Sequence, residues 1–315
     1  MEKRWRQITT RTVQWIVVAA TVVVIIRLAY QQREGLNDLD LELEPLWLVH
    51  AAIATSAANL LLPLGWRCLV AAYGQFLSAG RAVRLWCFAQ TARYLPTGLV
   101  AVASRLQLAA KEGIPRSVTA TSIAIETLIL FGWAIVACAI FVPSTVIPDM
   151  MRWLSGLIAA AGLLLAPWIL KTIGGGLSRI NKVVIPSPKQ RLLVQGTAFL
   201  GASVAARAVG TVALAAALLE VSPTDVPLIV GASYAAVVAG MVGITPAGLG
   251  VREGVMAAIL ADRFGFADAA AFALLSRAWE FGFEMAFLGA ASWWGRRRRN
   301  DLAQKADSVA DDGRL

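Results

Sequence analysis

Apolar residues in this chain come in long runs rather than in alternation. Six of the runs are long enough, at about 1.5 Å of helical rise per residue, to cross the roughly 30 Å of a bilayer's hydrocarbon. They are Val13 to Ala29, Leu46 to Leu62, Ser117 to Val142, Trp153 to Leu170, Leu192 to Leu219 and Ala269 to Trp294. Two further apolar stretches are interrupted. Val83 to Leu108 breaks at Tyr94-Leu95-Pro96-Thr97-Gly98, and Leu228 to Leu260 breaks between Gly243 and Gly254. Lipid cannot satisfy the backbone N–H and C=O groups that Pro and Gly set free, so each break must be buried in protein or line a wet cavity.

The polar residues between the runs orient them. Lys3, Arg4, Arg6 and Arg11 precede the first run, and Arg67, Arg81 and Arg84 follow the second. Lys171, Arg179, Lys182, Lys189 and Arg191 follow the fourth, and Arg296 to Arg299 follow the last. The positive-inside rule places all of these in the cytoplasm. The acidic loop from Gln31 to Pro45 and the turn bearing Glu220 and Asp225 then face outside. Every loop is satisfied only if each interrupted stretch enters and leaves on the same side.

The fold class expected is therefore an all-α polytopic membrane protein with six spanning helices and two re-entrant helical hairpins. Residues 1–152 read as two spans, a cytoplasmic-side hairpin and a span; residues 153–295 repeat that order upside down, with the hairpin outside. Pro96-Thr97-Gly98-Leu99 echoes Pro246-Ala247-Gly248-Leu249, and Gly113-Ile114 echoes Gly265-Phe266. An inverted-topology repeat of this kind is a common transporter plan, with the binding site between the halves near the midplane. Residues 296–315 read as a basic, then polar, disordered cytoplasmic tail.

Composition agrees with a membrane protein: 58% of the 315 residues are hydrophobic and 16% charged, and the mean hydropathy is +0.65. The formal charge of +9 does not point to nucleic acid, because Lys and Arg sit at the ends of apolar runs. Cys68, Cys87, Cys138 and the single His50 show no ligand or disulfide spacing, so neither metal nor cofactor is expected. The first run ends at Arg27-Leu28-Ala29-Tyr30 without an Ala-x-Ala site and reads as a retained span. Trp47, Trp66, Trp153 and Trp293-Trp294 read as interfacial belt. No P-loop, HExxH or GxSxG motif occurs, and no soluble catalytic unit is expected in this chain.

Charges inside apolar runs are expensive and mark functional positions. Arg252 follows Gly250 at the start of a helical limb, where helix terminus and guanidinium both favour an anion. Arg93 and Arg105 flank the other break in the same manner. Arg277, Glu280 and Glu284 fall at i, i+3 and i+7 and share a helix face. Glu126 and Arg207 sit deep in their runs, the latter among small residues that allow close approach. Each also has a purely structural reading, in which Arg252 pairs with Glu253 or Glu280 and only holds the hairpin. The hairpin-tip residues themselves are Pro96, Gly98, Pro246, Gly248 and Gly250.

The stretch Gly243-Ile244-Thr245-Pro246-Ala247-Gly248-Leu249-Gly250-Val251-Arg252-Glu253-Gly254 resembles the Pro-x-Gly-Gly-Leu-Gly-x-Arg-Glu-Gly signature of the lysylphosphatidylglycerol synthase transmembrane-region family. Ala247 stands where that family commonly has Gly. Arg93-Tyr94-Leu95-Pro96-Thr97-Gly98, Arg105, Gly113-Ile114 and Glu126 resemble the family's first half, and Ser276-Arg277 its closing span. The resemblance spans about residues 45 to 295. It implies a lipid flippase built from two inverted halves, fused in bifunctional members to a cytosolic aminoacyl-transferase domain that this chain lacks.

The function expected is movement of an anionic lipid head group, a phospholipid or a polyprenyl-phosphate-linked sugar, across the plasma membrane, with both termini cytoplasmic. Arg93, Arg105, Arg207, Arg252 and Arg277 would contact the lipid. Glu126, Glu253, Glu280 and Glu284 would hold the arginines apart or carry a counter-ion or proton. The alternatives are a membrane-embedded transferase using a lipid-linked donor, with Glu126 or Glu280 as base, and a non-transporting partner of a separate lipid-modifying enzyme. Besides the lipid, a second copy of the chain or such an enzyme is the expected partner, and nucleic acid is not.

Overall fold

The computed structural model of the chain describes residues 44–90, 99–180, 187–242 and 248–312. Among these, nine α-helices follow one another: α1 Pro45–Ala72, α2 Ala79–Gln90, α3 Leu99–Lys111, α4 Arg116–Phe141, α5 Asp149–Ile180, α6 Gln190–Leu218, α7 Val226–Val242, α8 Val251–Phe264 and α9 Phe266–Asp312. A 3₁₀ turn, Pro223–Asp225, leads into α7. The run from Val13 to Ala29, the break bearing Arg93, Pro96 and Gly98, and Pro246 lie outside the described residues.

Among the described residues, five segments are long and apolar enough to cross a membrane: Pro45–Ala72, Arg116–Phe141, Asp149–Ala166, Gln190–Leu218 and Pro223–Val242. Four of them coincide with expected spans. Helix α9 is long enough as well, but Arg277, Glu280 and Glu284 within its apolar part keep it off that set. Pro223–Val242, read from sequence as the first limb of a hairpin, also has the length and composition of a full crossing.

Helices α1 and α6 form the central pair and run antiparallel. The Lys189 N–H donates to the Ala72 carbonyl at one end, and Gly210 lies against Thr55 toward the other. Between these points Gly65 and Gly196 face one another. A Cβ on Gly65 would come within 2.9 Å of the Leu200 side chain, and one on Gly196 within 2.8 Å of Leu69. Small residues at a crossing let two helix backbones approach where lipid offers no hydrophobic drive to associate.

The remaining contacts fall into matched sets. Helix α4 packs on α7, and α9 on α2; α3 packs on α4, and α8 on α9; α1 touches α2 and α4, and α6 touches α7 and α9. The helices on either side of each interruption pack on one another, α2 on α3 and α7 on α8. The start of α2 is tied to the end of α3 by Arg81 and Arg84, 3.6 and 3.5 Å from the Glu112 carboxylate. The start of α7 is tied to the end of α8 by Arg263, which donates to both oxygens of Asp225 at 2.8 and 3.0 Å. The turns that follow, at Gly113 (φ +83°) and Gly265 (φ +82°), share a left-handed backbone that favours glycine.

Helix α5 stands at the edge. It meets α4 where Gly156 lies against Ala139 and exposes Met150, Trp153, Leu157, Ile158, Leu164 and Leu165, a surface suited to lipid. The disordered tail expected from residue 296 is corrected by the backbone, which continues α9 as one helix to Asp312. No proline interrupts residues 295–312, so local propensity carries the helix on where polarity alone suggested disorder.

Candidate functional site

The second break delivers Arg252. Gly250, at φ +82°, forms the N-cap of α8. Its backbone N–H donates to Glu253 Oε2 at 2.7 Å, so the acid three residues on closes the helix start. Gly248, at φ +70°, brings the chain against α7: an added Cβ would lie 2.9 Å from Gly240 Cα and 3.0 Å from Arg252 Cδ. Arg252 is thereby threaded between two glycines and emerges toward α9.

There it joins a cluster contributed by four helices, α1, α6, α8 and α9. Glu280 Oε1 accepts from Arg207 Nη1 of α6 at 2.9 Å, and Oε2 accepts from Arg277 Nη1 at 3.1 Å. Arg252 Nη1 lies 4.0 Å from the same Oε2. Arg207 Nη2 also donates to Asn59 Oδ1 of α1 at 3.2 Å. Arg277 Nε is 3.6 Å from Glu253 Oε1, which joins the cap of α8 to the cluster. Three guanidinium charges stand against two carboxylates here.

A second pair lies between α3 and α4. Arg105 Nη1 is 2.7 Å from Glu126 Oε2, both side chains being almost fully buried. Trp86 Nε1 donates to Glu126 Oε1 at 3.1 Å. The Arg105 guanidinium lies over the Trp66 ring, 4.4 Å from its centroid, and Trp66 Nε1 donates to Ser122 Oγ at 3.0 Å. Arg105 Nε and Nη2 find no acceptor among the described residues. Trp66, expected in the interfacial belt, is corrected to a fully buried core residue. Its neighbours Arg67 and Gly65 made it look like a helix end, but α1 continues through it to Ala72.

Both groups open on one cavity of about 380 Å³, lined by Trp86, Arg105 and Glu126 on one side and by Arg207, Tyr234, Arg252 and Glu280 on the other. A recess of about 60 Å³ shares Arg207, Tyr234, Arg252 and Glu280 with it and reaches Glu253 and Arg277. Tyr234 is held by donating its hydroxyl to the Val204 carbonyl. Of the expected site residues, Arg207, Arg252, Glu253, Arg277 and Glu280 thus come together, and Arg105 with Glu126 forms a separate pair on the same cavity. Among the described residues Glu284 borders a different, small recess with Asn59, Trp86, Cys87 and Gln90. Arg93 lies outside the described residues. Sequence reasoning missed Asn59, Trp66, Trp86 and Tyr234. Asn59, a lone amide within the run Leu46 to Leu62, was the one visible signal, since an amide in hydrocarbon needs a partner.

The sequence pattern of the family described as the lysylphosphatidylglycerol synthase TM region matches residues 14–287. The chain belongs to this family. That identity makes it a multi-pass membrane domain of a group associated with lipid-related function. No curated protein matches the chain. The family match covers the arginine cluster, the Arg105 and Glu126 pair and both hairpins, so the whole cavity belongs to the shared domain.

Proposed function

We propose that this family member is a flippase-like translocator that moves an anionic lipid head group, a phospholipid or a polyprenyl-phosphate-linked sugar, across the plasma membrane. The observation that carries the reading is the cavity, whose walls come from α2, α3 and α4 on one side and α6, α7, α8 and α9 on the other. Guanidinium groups inside a membrane domain suit phosphate, with which arginine makes paired charge-assisted hydrogen bonds.

The matched helix contacts support an inverted repeat in which α1, α2, α3 and α4 correspond to α6, α7, α8 and α9. The ion pairs that close the open end of each hairpin support two re-entrant elements, one entered from each side. In such a plan the halves rock about the fixed α1 and α6 pair and expose the cavity in turn. The transferase reading draws less support. Glu126 is engaged by Arg105 and Trp86, and Glu280 by arginines, so neither carboxylate faces the cavity unengaged, as a base for a lipid-linked donor would.

Two measurements test this. Arg252→Ala should abolish lipid transport in proteoliposomes while leaving folding nearly intact, since the 4.0 Å contact to Glu280 is the loosest in the cluster. Loss of expression in Arg252→Ala, with expression and transport both restored in Arg252→Ala/Glu253→Ala, would instead show that the arginine only holds the hairpin. Single-cysteine labelling tests the orientation. Position 111 should react from the cytoplasm and position 262 from outside; reaction of position 111 from outside alone overturns the inverted repeat.

A further inference from the structure

Glu280 occupies the place in the arginine cluster that a lipid phosphate would need. Its two oxygens divide three guanidinium groups between them, Arg207 on Oε1 and Arg277 and Arg252 on Oε2. A phosphodiester carries the same single charge and likewise presents two free oxygens, so exchanging one for the other leaves the charge of the cluster unchanged. The carboxylate is not sealed in: its side chain keeps about a quarter of its surface, as do those of Arg207 and Arg252, and all three line the cavity. Two of its partners are also held elsewhere, Arg207 by Asn59 and Arg277 by Glu253. Those two arginines therefore stay in place when the carboxylate leaves.

We infer that Glu280 is an internal stand-in for the head-group phosphate, which holds the arginines ready in the empty site and is displaced when a phosphodiester lipid enters. This rests on the proposed lipid-binding cavity and adds what regulates it. A site of desolvated arginines alone would retain an anion too tightly to release it on the far side. A tethered carboxylate competes with the lipid at both steps, lowering affinity and speeding release. Because the same oxygen faces Arg252 of α8 and Arg277 of α9, its departure also loosens the tie between hairpin and core as the lipid binds.

The sign of one substitution separates this role from a merely structural one. The full-length protein in detergent is titrated with dihexanoyl phosphatidylglycerol and, as a zwitterionic control, dihexanoyl phosphatidylcholine. Glu280→Gln keeps the shape, removes the competing charge, and should bind phosphatidylglycerol at least tenfold more tightly while turnover in proteoliposomes falls. Phosphatidylcholine affinity should change less. Unchanged or weaker phosphatidylglycerol binding by a folded Glu280→Gln protein overturns the inference, because a carboxylate that only builds the site, or that contacts the head group itself, must weaken binding when neutralised. If Glu280→Gln does not fold, Glu280→Asp, whose carboxylate is drawn back by one methylene, should tighten binding two- to threefold; failure of both to fold overturns the inference as well. Absence of transport by a wild-type protein that binds the lipid counts against translocation only, and the direction of the Glu280→Gln shift still decides the role of Glu280.

Discussion

Glu126→Ala should destabilise the protein by roughly 3 to 5 kcal/mol, the usual cost of removing one partner from a buried ion pair. The Arg105 and Glu126 side chains are only 9% and 6% exposed, with 2.7 Å between them. Without the carboxylate, a guanidinium and the Trp86 N–H would remain buried with no acceptor, and the tie between α3 and α4 would be lost. The expected readout is a large fall in melting temperature in detergent and in membrane expression. Replacing both partners at once, as Arg105→Met/Glu126→Leu, should recover most of the stability. The native pair already leaves Arg105 Nε and Nη2 without acceptors, and well-packed apolar residues can match a buried pair that is incompletely hydrogen-bonded. A Glu126→Ala protein that melts with the wild type would mean that Arg105 turns to another anion, and the pair would lose its structural role. Transport by the double variant then separates support from substrate contact, since a supporting pair can be exchanged for apolar residues without losing transport.

The second large effect is expected at Gly248. Its φ of +70° costs a substituted residue about 1 to 3 kcal/mol. Its added Cβ would also strike the α7 backbone at Gly240 Cα, 2.9 Å away, and the aliphatic part of Arg252, 3.0 Å away. A valine must therefore push α7 aside or move Arg252 off Glu280, and transport should be abolished. Gly250 supplies the control. It has a similar φ of +82° with nothing near its absent side chain, so Gly250→Ala carries backbone strain without a collision. Comparing Gly248→Ala with Gly250→Ala in the same transport assay separates the collision with Gly240 and Arg252 from the backbone strain. Equal losses of transport at equal stability would show that backbone strain alone matters and that Arg252 is not placed by Gly248.

Much of the architecture could be read along the chain. The helices α1, α4, α5 and α6 begin within a few residues of the apolar runs that announced them, although α1 continues past Pro63 to Ala72. The two Pro and Gly breaks separate helices that pack on one another, α2 from α3 and α7 from α8, and Gly113 and Gly265 marked the turns that follow the second of each pair. The proposed repeat is faint in the sequence for a physical reason visible in the ion pairs. The first hairpin is closed by arginines on its first limb and an acid after its second, and the other hairpin by an acid before its first limb and an arginine on its second. Likewise Arg105 of α3 faces Glu126 of α4, whereas Glu253 of α8 faces Arg277 of α9. An ion pair performs the same mechanical task with its signs exchanged, so the two proposed halves would keep a contact without keeping the residues.

The sequence by itself determined that this is an all-helical membrane domain of its family, where four of its long helices begin, and which charges lie within its apolar runs. Those properties are local: bilayer thickness sets the length of an apolar run, and the cost of a charge in hydrocarbon makes every such residue conspicuous. Only the tertiary structure decided which charge meets which. Arg207 reaches Glu280 across 73 positions and Asn59 across 148, and Trp66 becomes a platform for Arg105 rather than part of the belt. Such pairings depend on how closely helices approach and on their rotation about their axes. Both are set by side-chain fit at crossings such as Gly65 with Gly196, a property of two surfaces that neither segment carries alone.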